Sequence, residues 1–463
     1  MTARDKRAVP SVSEHPQQSS SAAPGAPRET DVLIIGGGPA GSTAAILLCQ
    51  KGHRVTLLEK EHHPRFHIGE SLLPANLDLF ERLGVADKIR NIGMPKWGAE
   101  FISPWHGRGE TFEFAESWDH THSYAYQVRR SDFDEILIRS AAESGALVIE
   151  GCCVTQVEFL PASDGGAVVR ARNEDGTVIH WRCRFVLDAS GRDTFLASRL
   201  GTKQRNRRHN SAALYGHFEG AERHEGKRAG NISLYWFDHG WFWFIPLADG
   251  ATSVGAVVWP YYLKRRSGDL KTFLSETIGL CPPLAARLKN ARLISNVEAT
   301  GNYSYASDRS HGDNYLLLGD AFAFIDPVFS SGVWLAMHSA EAGSEAVDTC
   351  LRQPAQARAA LKKFDRTMRH GPRVFSWFIY RITTPVMRDM FMHPRNTMRV
   401  KEALLSVLAG DIYGNAPIWT SLRLFKGLYY TFSLLNLRRS IHAAKQRRRN
   451  IQGESRTLPV QPQ

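Results

Sequence analysis

The sequence predicts an α/β fold, and three observations carry that prediction. An apolar run, Asp31-Val-Leu-Ile-Ile35, enters the turn Gly36-Gly-Gly-Pro-Ala-Gly41 and a helical stretch, STAAILLCQKG. Residues 211–259 alternate polar and aromatic positions, the pattern of an antiparallel sheet. A late apolar run, Tyr315-Leu-Leu-Leu-Gly-Asp320, is followed by a long helical pattern from Ser330 to Cys350. Strand–helix units, then an alternating sheet, then a returning strand and helix describe a parallel-sheet domain interrupted by an antiparallel insertion.

The elements follow in chain order. Asp31–Ile35 is bounded by charge and glycine and reads as a buried parallel strand. The helix after Gly41 closes at Gly52, and Arg54–Glu59 is a second strand, so a βαβ unit opens the ordered chain. The segment PRFHIGESLLP is a loop, and a helix runs from about Ala75 to Leu83. Residues 97–130 read as β-structure with loops, Asp132–Ala142 as a helix, and Val148–Phe159, Ala167–Asn173 and Thr177–Leu187 as strands. From Leu351 the pattern is helical almost to Leu437. The domains expected are a disordered tail over 1–28, a cofactor domain over 29–350 with an interleaved substrate region at about 205–300, a helical region over 351–437 and a basic disordered tail over 438–463.

Composition narrows the function classes. An apolar fraction of 43% and a charged fraction of 22% suit a globular protein with a large core. Six scattered cysteines form no CxxC pair, so neither a disulfide framework nor a metal site is indicated, and a reducing, cytoplasmic setting is expected. The net charge is +12, yet the run from Arg438 to Arg449 alone holds six cations and no acid. The remainder is only mildly basic, so a nucleic-acid partner is not implied. The Ser/Pro/Ala-rich start lacks the apolar core of a signal peptide, and no apolar run reaches the length of a membrane span.

Gly36, Gly38 and Gly41 form a GxGxxG that ends a strand and opens a helix, and Glu59 lies 18 residues beyond Gly41 at the end of the second strand. The glycines allow a tight turn and close approach to a pyrophosphate, the helix N-terminus offers unpaired N–H groups, and the acid can accept from ribose hydroxyls. The spacing therefore predicts dinucleotide binding. Tyr315–Asp320 with Ala321-Phe322 resembles the second FAD motif of aromatic-hydroxylase-type flavoproteins, in which the aspartate meets the ribityl chain. Val128-Arg-Arg130 with Phe133-Asp134 resembles their third contact region. The resemblance implies an FAD-binding, Rossmann-like domain. Contacts are expected from Gly36, Gly38, Ala40, Gly41, Glu59, Arg65, Gln127, Arg130, Gly319 and Asp320. The plain alternative for Arg130 is a salt-bridged surface arginine. No second GxGxxG is present for a nicotinamide, so the resemblance implies that reduced flavin arrives from a separate flavin reductase.

Over residues 30–435 the sequence resembles the flavin-dependent halogenases. Trp241-Phe-Trp243-Phe-Ile245-Pro246 matches that family's WxWxIP signature, and Phe324-Ile-Asp-Pro327-Val-Phe-Ser330-Ser331-Gly332 its FxxPxxSxG signature. Pro95-Lys96-Trp97-Gly98-Ala99 resembles the segment that holds its active-site lysine, and Lys96 lies 60 residues after Gly36. The resemblance implies that FADH2, O2 and chloride or bromide generate hypohalous acid, and that Lys96 holds the halogen for transfer. A depressed amine pKa would serve that role, and burial beside Trp97 is the expected source. It implies that Ser331 and Gly332 bind the halide, where the plain reading is a serine N-cap. It also implies that Trp241 and Trp243 keep substrate off the flavin, where the plain reading is an aromatic core pair.

Tryptophan halogenases carry glutamate before the serine of the second signature, whereas this chain carries Phe329; DPVFSSGVWLAM looks more like the branch acting on phenols and carrier-protein-bound pyrroles. Asp188-Ala-Ser-Gly191 departs from the shorter Asp-Gly motif of hydroxylases. The expected function is halogenation of an electron-rich aromatic, free or tethered to an acyl or peptidyl carrier, in secondary metabolism. The alternatives are a monooxygenase or isoprenoid reductase of the same fold, or a non-catalytic FAD-binding subunit. In the C-terminal region Trp419, Leu422, Phe425, Tyr429, Phe432 and Leu435 recur at three or four and predict one apolar helix stripe, packed on the substrate region in preference to a docking face or lid for a carrier-bound substrate or to membrane contact.

Overall fold

The structure, a computed structural model, describes residues 27–452 except 121, 162, 302, 303 and 415. The expected tail over 1–28 lies outside the described residues apart from its last two positions. Arg28 already pairs with Trp181, so the first strand, β1, runs from Arg28 to Ile35.

β1 is central in a seven-stranded sheet. It pairs in parallel with Val55–Leu58 on one side and Val178–Asp188 on the other. Tyr315–Leu317 pairs in parallel with the end of Val178–Asp188, and the antiparallel strands Cys152–Phe159 and Ala167–Asn173 extend the sheet. Helix α1, Pro39–Gln50, leaves the glycine turn after β1; helix α2, Arg130–Glu143, packs against it. Helix α3, Gly332–Arg352, returns to pack on α1. This is the expected α/β core. It is buried on both faces, as the fully buried strands Val55–Leu58 and Tyr315–Leu317 show.

An eight-stranded second sheet has the order 292–293, 212–219, 252–258, 240–246, 232–237, 98–103, 108–113, with 298–301 also pairing to 212–219. The expected substrate region of 205–300 is therefore incomplete. Gly98–Ser103 joins from early in the chain and pairs in parallel with Ile232–Phe237. Parallel partners distant in sequence leave no local pattern, which is why the sequence does not delimit this sheet. Its period of two divides it between two cores. Trp241, Trp243 and Ile245 face the cofactor-domain core; Phe242 and Phe244 face a smaller core closed by helices Leu270–Gly279 and Pro282–Arg287.

The C-terminal region contains α4 (Ala357–Ile379), α5 (Pro385–Met392), α6 (Val400–Ala409), α7 (Ile418–Leu435) and α8 (Leu437–Gln452). Helix α8 corrects the expectation of a disordered basic tail from residue 438. Its arginines do not only repel one another: Arg447 donates to the Tyr380 carbonyl and to the Arg208 carbonyl, and Arg439 pairs with Asp389 at 2.6 Å. Residues 453–463 lie outside the described residues. The predicted stripe on α7 is buried only in part. Leu422, Phe425 and Tyr429 pack into the core, but Phe432 and Leu435 are 41% and 74% exposed.

Candidate active site

A cavity of about 410 Å³ runs from the glycine turn to the start of α3. Gly36, Gly38, Ala40, Glu59, Arg65, Arg130 and Asp320 line it, with Trp241, Trp243, Ser330 and Gly332. The structure thus brings most of the expected residues to one space. Gly41, Gln127, Gly319, Ser331 and Lys96 stand behind the wall.

The glycine turn fits a bound pyrophosphate. A Cβ at Gly41 would lie 1.9 Å from the Gly36 carbonyl oxygen, so only glycine allows the helix to start this close to the strand. No side chain caps α1, leaving its first N–H groups for an anion. Glu59 is buried and accepts from the N–H of Gly37 at 2.6 Å and of Glu61 at 2.9 Å, which fixes the acid at the edge of the cavity. Arg65 sits 4.0 Å from Glu59 and 3.7 Å from Asp134.

Arg130 is neither exposed nor free. Its Nε and Nη2 donate to both oxygens of Asp134 at 2.8 and 2.9 Å, and Nη1 donates to the Ile68 carbonyl at 2.9 Å. It anchors the loop 65–71 along the cavity. Gln127 does not reach the cavity: its side-chain amide donates to the Gly230 carbonyl at 3.0 Å. Gly319 forms a turn whose N–H donates to Ser339 of α3 at 2.8 Å. Burial pushes the Asp320 carboxyl up to about 6. Hydrogen-bond donors from a bound polyol would ease that penalty.

At the far end, Asp326 begins the turn into α3, accepting from the Val328 N–H at 3.1 Å. Ser330 adopts a left-handed backbone with φ of 55°, and Ser331 occupies the N-cap position without a side-chain capping bond. The plain N-cap reading of Ser331 is therefore not what its side chain does. Phe329 points away from the cavity, against Phe375 and Phe378 of α4, so the glutamate-to-phenylalanine departure does not read directly onto the cavity wall. Trp241 and Trp243 are buried 6.1 Å apart, centroid to centroid, and the Trp243 indole donates to Ser253 at 3.1 Å. Gly255 lies opposite Trp243 in register, and a Cβ there would sit 2.2 Å from the indole. Asp188 accepts from the N–H groups of Ser190 and Leu196 at 3.0 and 2.7 Å. It holds a turn, so its motif bears on local structure and carries no argument about hydroxylation.

Lys96 is 1% exposed. Its Nζ donates to Ser71 Oγ and to the Leu72 carbonyl, both at 2.9 Å, and lies 5.2 Å from the Phe114 ring centre. No carboxylate pairs with it among the described residues. Burial pushes its amine down to about 7. The aromatic neighbour differs from expectation: Trp97 points to the other face of the chain, toward Tyr124 and Lys227. Ser71 lines the cavity and so connects Lys96 to it. Sequence reasoning missed Ser71, and also the buried pair Glu70–His217 at 2.8 Å beside it. The signal was the polar Gly-Glu-Ser inside an otherwise plain loop; its partner 147 residues away is invisible without the fold.

The family model described as "FAD binding domain" matches residues 29–358. A 1H-pyrrole-2-carbonyl-[peptidyl-carrier protein] chlorinase from Pseudomonas fluorescens is 30% identical over 407 residues, covering 83% of this chain and 89% of that protein. The chain belongs to the flavin-dependent halogenase family. A tryptophan 2-halogenase from Chondromyces crocatus is 35% identical over 351 residues, covering 73% of this chain; the chain spans 65% of that relative. A solved flavoprotein/dehydrogenase from Cytophaga hutchinsonii superposes with a TM-score of 0.80 at 28% identity, covering 88% of this chain and all of that one. The family therefore holds, with an FAD-binding domain, while the relatives' names span more than one substrate class. Among the described residues no helix is long and apolar enough to cross a membrane, and no cluster of metal-ligating side chains occurs.

Proposed function

We propose that this family member is an FADH2-dependent halogenase of electron-rich aromatics, phenols or pyrroles, including pyrroles tethered to a carrier protein. The observation that carries the reading is Lys96: a buried amine with no acidic partner among the described residues, joined to the cavity wall through Ser71. With O2 and chloride or bromide, bound reduced FAD supplies an oxidised halogen of the hypohalous-acid type. The chain's residues do the rest. The glycine turn, Glu59, Arg65 and Asp320 bind and orient the cofactor. The turn Ser331–Gly332 presents N–H groups at the positive end of α3 to a halide. Trp241 and Trp243 wall the cavity, and in this reading they keep the aromatic substrate off the flavin.

Lys96 receives the halogen. A neutral amine can donate two N–H groups, to Ser71 and Leu72, and keep its lone pair for hypohalous acid. Attack forms an N–halogen bond and releases water, and the ring carbon of the substrate then takes the halogen as the nitrogen regains a proton. Without that step the amine still hydrogen-bonds the acid in place. The substrate class is supported by the segment Asp326–Met337 and by the pyrrole relative's name.

The test supplies FAD, a flavin reductase, NADH, O2 and bromide with free and carrier-loaded phenols and pyrroles, and tryptophan. Mass spectrometry should show the bromine isotope doublet on a phenol or pyrrole. A doublet on tryptophan alone would overturn the substrate class, and a product gaining oxygen without halogen would overturn the halogenase reading.

A further inference from the structure

A second pocket, separate from the cofactor cavity and sharing no lining residue with it, lies where α4, α7 and α8 meet the loop 206–210. Its volume is about 660 Å³. Arg207, Arg208, Arg373, Arg381, Arg447 and Arg448 line it, and among the described residues no acidic one does. None of the six forms an ion pair with a carboxylate among the described residues. Nearby arginines do: Arg439 pairs with Asp389, and Arg369 with Asp365 at 2.9 Å.

The two innermost cations are the informative ones. Arg447 is half-buried and makes no direct contact with a carboxylate among the described residues; the nearest acid, Asp326, lies behind His209. It donates to the Tyr380 and Arg208 carbonyls and lies 3.4 Å from His209 Nδ1. Arg381 donates to the Trp377 carbonyl at 2.9 Å and the Tyr430 hydroxyl at 3.0 Å, and its guanidinium lies over the Trp377 ring at 4.6 Å. Burial pushes the Arg447 guanidinium down to about 10. Cations withdrawn from water are ordinarily paired with anions, and converging like charges raise the cost further. Here the described lining provides arginines, an aromatic wall of Trp377, Tyr380 and Tyr429, and hydroxyls from Ser440 and Thr384, but no carboxylate.

We propose that this pocket binds a phosphate ester, the phosphate held by Arg373, Arg381, Arg447 and Arg448 and the organic part lying on Trp377, Tyr380 and Tyr429. Guanidinium forks match phosphate oxygens in geometry, and the oxygens of one phosphate can accept from several of them at once, whether the ester is a dianionic monoester or a monoanionic diester. Two sources share this chemistry: a free nucleotide-like ester, and the phosphodiester arm of a carrier-tethered substrate. The second source rests on the reading proposed above; the pocket itself does not. Occupancy would also reach the first site. Arg447 adjoins His209, His209 lies 2.8 Å from Asp326, and Asp326 holds the turn that leads to Ser331 and Gly332.

The test is calorimetric titration of the full-length, FAD-loaded protein with 4′-phosphopantetheine, with adenosine monophosphate and with pantetheine. No turnover is involved, so the result is independent of halogenation. Saturable binding of one equivalent of a phosphate ester is expected, with no binding of pantetheine. Arg373→Gln combined with Arg448→Gln should weaken it roughly tenfold or more. Both residues are exposed, so the fold and FAD content should survive. Arg381→Gln should act in the same direction. Arg449→Gln is exposed and outside the pocket, and should leave affinity unchanged. Preference for 4′-phosphopantetheine would identify the carrier arm as the source, and preference for the nucleotide a free ester. Absence of binding by both esters would overturn the proposal, as would an Arg449→Gln effect equal to that of the pocket variants, which would mean only general attraction to a basic surface.

Discussion

Lys96 concentrates the account at the scale of one residue. Its folded amine titrates near 7 against about 10.5 unfolded, because burial disfavours the charge. Between those values the unfolded chain binds more protons, so stability rises with pH across that window; below about 7 the penalty is present in full. The difference amounts to about 5 kcal/mol. Lys96→Met, of similar volume, should abolish most of the stability gain between pH 7 and 10, measured by urea unfolding at both pH values. An unchanged slope would mean that the amine is solvated. Activity should follow the neutral amine and rise with pH through about 7, which a pH–rate profile checks. Gly255 gives a second residue-level prediction. Its Cβ would overlap the Trp243 indole, which the surrounding core cannot release. Gly255→Ala should therefore destabilise by about 1–3 kcal/mol, and an unchanged unfolding midpoint would contradict the packing. Lys96 was legible in the sequence through its resemblance and spacing. Its partner Ser71 and its aromatic neighbour Phe114 were not, because a loop and a short 3-10 helix whose positions only the fold sets bring them in.

At the scale of elements, the strand–turn–helix at Gly36–Gly41 was legible because each part leaves a local signature: an apolar strand, glycines and a helical pattern. Gly41→Val would drive a methyl group into the Gly36 carbonyl. The variant should lose FAD on gel filtration, read by the ratio of flavin to protein absorbance, whereas wild type retains it. The alternating strands were legible for the same local reason, but the entry of Gly98–Ser103 into that sheet was not. Helix α8 was misread because a run of arginines reads as solvated charge, whereas here backbone carbonyls and aromatic faces receive it. Truncation after Asn436 should lower the melting temperature by several degrees while FAD binding persists, since no described residue beyond Ala336 lines the cofactor cavity. Loss of FAD together with the helix would contradict that separation.

For the whole molecule, the consequence is a division of labour between two sheets. The parallel sheet builds the phosphate turn and returns α3 to the end of the cavity, while the antiparallel sheet presents Trp241 and Trp243 across it. Lys96 lies outside this cavity and meets it through the Ser71 hydroxyl; under the proposed function, oxidant formation and halogen transfer would occupy different places. That separation is the central claim. The direct measurement compares wild type with Lys96→Ala in the presence of FAD, flavin reductase, NADH, O2 and bromide. It follows two quantities together, bromination of the aromatic substrate and bromination of a small diffusible scavenger of hypobromous acid. The account predicts that Lys96→Ala loses substrate bromination and still brominates the scavenger. Substrate bromination at the wild-type rate in Lys96→Ala would contradict it.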